Sequence, residues 1–323
     1  VIEFAPRLMP RQIDEAGSNI LKTKLETLGL KILTSKNTSS ILGDETITGM
    51  QFSDDTHIDV DMLVISAGIN PRDELAKQAA LEVGARGGIV VNDTLQTTDP
   101  SIYAIGECAL HNGMIYGLVA PGYEMAQVVV DNLIAEISNS PLGDGGERGF
   151  TGYDMSTKLK LIGVDVASFG DPFVSGNECH TIVFEDKIKG IYKRINVSKD
   201  GKHLLGGVLV GEAEAYNMLL QTYKNKIVLP PNPEDVILGS RGGSEADAGA
   251  GVAGLPDDAL ICSCESVSKA DICNSVIDKG CETVDAIKKC TKAGTGCGGC
   301  VPMVKDLMLH TMKAQGKYVR NVL

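Results

Sequence analysis

Seven of the nine cysteines in this 323-residue chain fall between residues 262 and 300, and only Cys108 and Cys179 precede them. Four of the seven form two close pairs, Cys262-Ser-Cys264 and Cys297-Gly-Gly-Cys300. A disulfide framework is spread through a small secreted domain. Paired soft ligands crowded into one stretch of a long chain make a four-thiolate metal site instead, and place a metal-bound domain at residues 259–323. Zn²⁺ and a [2Fe–2S] cluster both accept four thiolates, so both stay open. The C-x-C spacing is tight for a zinc knuckle, and Gly294, Gly296, Gly298 and Gly299 leave backbone N–H groups free to approach bridging sulfides. That balance favours the cluster. Cys273, Cys281 and Cys290 lie within helical patterns and read as small buried hydrophobes that ligate nothing, as do Cys108 and Cys179.

At this length two or three domains are expected, and 43% hydrophobic with 22% charged residues is a globular composition. The net charge of −12 argues against a general nucleic-acid binder, which needs clustered Lys and Arg. Residues 259–323 run against the trend, with nine Lys/Arg against six Asp/Glu. No apolar run approaches the roughly 18 residues of a membrane span. Val1–Pro10 lacks the basic and apolar regions of a signal peptide, and residue 1 reads as a cut point. A reducing, cytoplasmic setting is the expectation.

Along the chain, VIEF reads as a short buried strand, and Ile13, Ala16, Ile20, Leu21, Leu25 and Leu28 recur at helical spacing up to Gly29. KILTS reads as a strand. Residues 47–68 read as a hairpin leading into a buried strand, Met62 to Ser66. A helix over 73–82, a strand at GGIVVND, a strand at SIYAIGEC and a helix over 121–137 follow. After a turn-rich stretch ending near Gly149, residues 151–228 change to short strands and a helix at 212–223, an α+β module read as an interface without chemistry. Lys158, Lys160 and Lys193 read there as solvated faces. Residues 230–258, with GSRGGSEADAGAGVAG, read as a linker in which 239–254 should be open to proteases.

Two further signs concern nucleotides. Glu3 ends its strand where a dinucleotide fold places its ribose-binding carboxylate, although the glycine-rich loop expected about 20 residues upstream is not in this sequence. Val64-Ile-Ser-Ala-Gly68 and Ile102-Tyr-Ala-Ile-Gly106-Glu107 are apolar segments ending in Gly, the second in a Gly-acid pair suited to a flavin's ribityl hydroxyls and pyrophosphate.

Together, VIEFAPRLMPRQID, VISAGINPRDELA, GGIVVNDTLQTTDPSIYAIGECA and YGLVAPGY resemble the pyridine nucleotide–disulfide reductase class of flavoproteins. With STKLKLIGVDVASFGD and ICSCESVSKADI…TKAGTGCGGCVPMVK, the chain resembles the large subunit of assimilatory NAD(P)H nitrite reductases over nearly its whole length. The resemblance implies a partial α/β FAD/NAD(P)-binding flavoprotein fold, an α+β module and a small helical [2Fe–2S] domain. Its divisions would be 1–73 for the end of the NAD(P)H domain, 74–138 for the end of the FAD domain, 151–228, 230–258 and 259–323. It implies electron flow from NAD(P)H, with NADH favoured, through FAD and [2Fe–2S] to a [4Fe–4S]–sirohaem centre that reduces nitrite to ammonia. That last centre has no Cys set in these residues, so these residues alone should not reduce nitrite, and no catalytic residue is assigned. By this resemblance Glu3 matches the ribose carboxylate, Gly68 the strand-end glycine, and Gly106 with Glu107 the flavin pair, Glu standing where many relatives carry Asp. Cys262, Cys264, Cys297 and Cys300 match the cluster ligands. A homodimer and a small reductase subunit or equivalent domain are the implied partners. Alternatives are the FAD/[2Fe–2S] electron-transfer subunit of assimilatory nitrate reductase and a zinc-stabilised adaptor.

Overall fold

In a computed structural model that describes residues 1–138, 148–174, 176–238, 254–262, 265–296 and 298–316, the chain divides into two units. One comprises residues 1–63 with 155–323, the other residues 64–154. In the first, α1 (Glu15–Thr27) turns the predicted apolar spacing into a buried stripe with Leu21 and Leu25. Asp14 caps its start by accepting the Gly17 N–H at 3.1 Å. The helix stops at Gly29, whose φ of +91° only glycine adopts cheaply, while the Leu30 N–H reaches back to the Leu25 carbonyl at 3.1 Å. β1 (Thr38–Leu42), β2 (Gly49–Phe52) and β3 (His57–Asp59) then form an antiparallel three-stranded sheet that contains the expected hairpin.

The second unit holds α2 (Glu74–Gln78), the parallel pair β4 (Ile89–Val91) and β5 (Ala109–His111), and α3 (Val119–Ser138). Its core gathers Val91, Leu95, Ala109, Met125, Val128 and Phe150. The helix over 121–137 and the GGIVVND strand are as expected, whereas the 73–82 helix is cut to a single turn and a half.

Returning to the first unit, β6 (Thr157–Leu161), β7 (Val164–Gly170), β8 (Cys179–Asp186), β9 (Ile191–Ser198) and β10 (Leu204–Val210) make one antiparallel sheet in the order β6-β7-β10-β9-β8. Apolar residues fill both faces with period two. Val164, Val166, Tyr192, Val208 and Val210 face Leu21 and Leu25 of α1. Ala167, Phe169, Ile195, Val197 and Leu209 share the other core with Leu219 of α4 (Tyr216–Lys224) and Ile237 of α5 (Asp235–Leu238). The β-hairpin β11 (Leu260–Cys262) and β12 (Val267–Ser268) opens the cysteine-rich region, followed by α6 (Lys269–Ile277), α7 (Val284–Thr291) and α8 (Val301–Ala314). The predicted α+β module and small helical region are both present. The stretches at 139–147 and 239–253, which hold most of the two expected linkers, lie outside the described residues.

Four expectations are corrected. VIEF is not a buried strand: Ile2 makes one isolated bridge to Leu33, and Phe4 is 73% exposed. KILTS forms no regular strand, although Leu33 and Ser35 donate to the Val1 and Ala5 carbonyls at 2.9 Å and Leu33 accepts the Glu3 N–H at 2.8 Å, and the next strand starts at Thr38. Met62–Ser66 forms no strand, and Met62, Val64 and Ile65 are 80%, 81% and 72% exposed. An all-apolar strand is stable only between two partner strands, and no described segment pairs with this one. SIYAIGEC ends in a single 3₁₀ turn, Gly106–Cys108, because Gly106 takes φ +79° and turns the chain out of the extended path.

The Asp14 carboxylate also receives the Tyr192 hydroxyl at 2.6 Å and the Arg194 guanidinium at 2.9 Å, both from β9. Burial alone would raise its pKa, but these bonds with the Gly17 N–H outweigh it and hold the carboxyl below its ordinary value. A group held low contributes stability that is complete above its unfolded value, about 3.9, and vanishes as pH falls through the native value. Asp14→Ala should therefore cost about 1–3 kcal/mol in urea unfolding at neutral pH. The gap between the two proteins should shrink as the medium is acidified below about pH 4; a gap independent of pH would show that the charge is not what holds α1 to the sheet.

Candidate electron-transfer site

The sheet β11–β12 sets Cys262 opposite Val267, at the end of its strand. Cys300 forms the N-cap of α8, where the positive end of the helix dipole favours negative charge. The two described members of the predicted set are 3% and 8% exposed and share one hydrophobic core with Ile261, Ile272, Ile287 and Val304. Cys264 and Cys297 lie outside the described residues. Gly294 adopts φ +80°, and a Cβ there would stand 2.7 Å from Val301 Cγ2 and 3.9 Å from Cys300 Sγ. The main chain thus runs close beside the Cys300 sulfur. Sulfur donors against bare glycine backbone suit a [2Fe–2S] group, whose sulfides accept backbone N–H bonds. Among the described residues no three His, Cys, Asp or Glu side chains converge as a metal site.

Two residues overlooked in the sequence hold this region from outside. Asn217 Nδ2 donates to the Gly299 carbonyl, one residue before Cys300, and Gln221 Nε2 donates to the Leu260 carbonyl at 2.7 Å, two residues before Cys262. Both come from α4, one turn apart, and Gln221 is buried. Met218 and Ile227 pack against the same cysteine-bearing core. A pair of amides at i and i+4 on a helix with an apolar stripe was the available signal. The α+β module therefore contacts both cysteine pairs' flanks.

Lys193 is not a solvated face. It is buried, and its ammonium donates to Glu212 at 2.7 Å and to the Ile237 carbonyl at 3.3 Å. Lys158 and Lys160 are exposed, and Lys158 donates to the Ala213 carbonyl at 2.9 Å. The remaining cysteines divide. Cys281 is buried, Cys273 is half-buried with the Thr311 hydroxyl 3.4 Å from its sulfur, and Cys108 and Cys179 are half-buried. Cys290 departs from the expectation of burial: it is exposed on α7.

Glu3, in the first unit, accepts the Ala5 N–H at 2.8 Å with one carboxylate oxygen. Arg7 Nη2 is turned onto its own loop, to the Pro10 carbonyl at 3.1 Å. In the second unit, the Gly106 N–H points at Met125 Sδ of α3 at 3.2 Å, and a Cβ on Gly122 would lie 3.4 Å from Gly106 Cα. The first turn of α3 thus abuts the Gly106–Glu107 pair, with Glu107 exposed. Gly68 takes φ +94°, and its neighbour Ile69 approaches Gly117, just before α3, at 3.4 Å from where a Cβ would be. Gly106 and Glu107 thus lie at the N-terminal end of one helix.

Family models match three parts of the chain: a pyridine nucleotide-disulphide oxidoreductase over residues 1–132, a rubredoxin NAD+ reductase C-terminal domain over 156–227, and a BFD-like [2Fe-2S] binding domain over 260–310. FAD with NAD(P)H, and a [2Fe–2S] cluster, are the cofactor classes of the first and last. The chain is 49% identical to the Escherichia coli nitrite reductase (NADH) large subunit across 100% of its own length, which is 37% of that protein. It is 33% identical to an assimilatory nitrate reductase electron transfer subunit of Bacillus subtilis across 98% of its length and 38% of that protein. Among solved structures, a Rhodopseudomonas palustris ferredoxin reductase superposes with a TM-score of 0.53 over 67% of this chain and 51% of that one, at 23% identity, which shows the fold. The chain spans little more than a third of the E. coli relative. With both terminal domain families on one chain, and that identity sustained from end to end, the chain is similar over its whole length to a stretch of the NAD(P)H nitrite reductase large subunits.

Proposed function

We propose that this chain is the electron-delivering part of an NAD(P)H-dependent nitrite reductase, whose sirohaem and [4Fe–4S] centre, reducing nitrite to ammonia, lies in other parts of the whole protein. The reading rests on one observation, the nitrite reductase identity running through both a nucleotide–disulphide oxidoreductase region and a [2Fe-2S] domain. The nitrate reductase electron-transfer subunit is the second reading, favoured by a lower identity. FAD and the cluster, when bound, supply the conversion of a two-electron hydride donor into single electrons.

In this reading Cys262, Cys264, Cys297 and Cys300 hold the cluster. Cys300 places its sulfur at a helix N-terminus that offsets the negative charge of four thiolates, and Gly294 keeps the neighbouring backbone close. The burial of Cys262 and Cys300 keeps water from the sulfurs. Gly106 and Glu107 serve the flavin, Glu107 by accepting hydrogen bonds from its hydroxyls and the α3 N-terminus by facing pyrophosphate, and Gly68 is the strand-end glycine near the nucleotide-domain exit. Glu3 reads the ribose of the nicotinamide cofactor. The regions 1–73, 74–138, 151–228, 230–258 and 259–323 correspond to the end of the NAD(P)H domain, the end of the FAD domain, the interface module, the linker and the cluster domain. The designation of relatives as large subunits supports a smaller companion, and a cytoplasmic homodimer completes the assembly.

Anaerobically purified protein should carry about two irons and two sulfides per site. Alanine at any of the four assigned cysteines should abolish that content, and Cys273→Ala should retain it. Stoichiometric zinc without iron would sink the assignment. Gly294→Ala should also lower iron content, since its Cβ meets Val301 at 2.7 Å in a left-handed conformation. Full iron in that variant would mean that the loop does not need glycine there.

In the complete enzyme kcat/KM should favour NADH over NADPH by about 5- to 150-fold. The carboxylate of Glu3 repels a 2′-phosphate, and Arg7, committed to the Pro10 carbonyl, does not offset it. Glu3→Ala should erode that ratio. If the ratio is unchanged, cofactor choice is made by other residues.

A further inference from the structure

The cysteine-rich region contains a second pair of sulfurs that no ligand role explains. Cys281 lies in the turn between α6 and α7, with its N–H fixed to the Ser275 carbonyl at 3.1 Å, and Cys290 lies one residue from the end of α7. Their Sγ atoms stand 3.1 Å apart, with the Cys281 thiol donating to the Cys290 sulfur. The two differ in access: Cys281 is buried and Cys290 exposed. Cys290 also forms part of the wall of an open cleft of about 340 Å³ with Asp271, Asn274, Ser275, Asp278 and Lys279. That volume falls within the range of small-molecule pockets, roughly 300–1,000 Å³.

We propose that Cys281 and Cys290 form a dithiol oxidised by low-molecular-weight disulfides, Cys290 making the first attack and Cys281 resolving it. The exposed sulfur, as hydrogen-bond acceptor, is the one an incoming disulfide can reach from the cleft. Its thiolate attacks one sulfur of R–S–S–R; that S–S bond breaks, and the departing RS⁻ takes up the proton as RSH. Cys281 then loses its proton and attacks the Cys290 sulfur of the mixed disulfide, and a second RSH leaves. Two protein thiols are oxidised, one small disulfide is reduced to two thiols, and no metal takes part. A disulfide bond of about 2.05 Å requires the sulfurs to close by only about 1 Å. Burial, and next the adjoining Cys290 sulfur, push the Cys281 thiol up, which suits a group held as the donor until the mixed disulfide forms. The bond would pin the last turn of α7, which leads through Lys292 in a left-handed conformation to Gly294 and the Cys297–Cys300 loop.

The test is anaerobic incubation of the full chain with oxidised glutathione, alkylation of the remaining thiols, and peptide mass spectrometry with iron content followed in parallel. The wild type should lose both thiols from alkylation and yield a peptide linking Cys281 to Cys290. Cys281→Ser and, should that variant fold poorly, Cys281→Ala should instead lose one thiol and keep glutathione on Cys290. Cys290→Ser should lose none at Cys281. Retention of both thiols in the wild type, glutathione persisting on wild-type Cys290, or Cys281 modified in Cys290→Ser would each overturn the proposal. Because iron is measured separately, loss of the cluster and failure of the dithiol are told apart.

Discussion

The middle strand β10 is the element on which the larger unit depends. It is hydrogen-bonded to β7 on one side and β9 on the other, so its side chains must satisfy two cores at once. Val208 and Val210 point to α1, and Leu209 points to α4. Each such aliphatic side chain is worth about 1.5–3 kcal/mol when fully buried, and slipping the register by one residue would exchange the two sets. Gly206 and Gly207 make the close packing possible at its start: a Cβ at Gly206 would meet the Asp171 carbonyl at 2.2 Å, and one at Gly207 the Phe169 ring at 2.7 Å. With β10 fixed, both helices have defined seats.

From that sheet the order passes outward to the cysteines. α4 is held by Leu219 against the sheet and turns Asn217 and Gln221 to the carbonyls of Gly299 and Leu260. A buried amide that donates to a loop carbonyl is costly to leave unpaired, so these contacts set the loops as well as satisfy them. The α+β module, read from sequence as an interface without chemistry, acts as the mount for the small helical region. It touches the backbone beside each cysteine pair and leaves the sulfurs themselves to that region's own core.

What the sequence made legible follows from how local each signal is. The α1 stripe, the Gly29 stop, the short strands of 151–228 and the small helices after 259 all depend on spacing within a dozen residues, and the structure contains each. The paired cysteines stand out for the same reason, since C-x-C and C-x₂-C are local patterns. Met62–Ser66 was misread because an unbroken apolar run reports the need for partners on both sides without saying whether any are supplied. Lys193 was misread because a lysine in a strand looks solvated until a carboxylate from another element, Glu212, is known to face it. Asn217 and Gln221 offered only their i, i+4 spacing as a sign, because their targets are backbone carbonyls 82 and 39 residues away, which no spacing rule encodes.

The cysteines show how environment, more than count, sorts one residue type into different chemistry. Cys262 and Cys300 are enclosed in the same apolar core, one at a strand end and one at a helix N-terminus, a setting that would shelter a shared anionic group from water and balance it with backbone dipoles. Cys273 is half-buried against Thr311, where a thiol is only a small space-filling group. Cys281 and Cys290 combine one buried and one exposed sulfur in contact, an arrangement that suits neither a ligand pair nor inert packing. Exposure gives a thiol access to reagents, and an adjoining buried thiol gives it a partner that small molecules do not reach. A stretch of 39 residues can therefore carry both a metal-holding set and a separate thiol pair without the two competing for the same sulfurs.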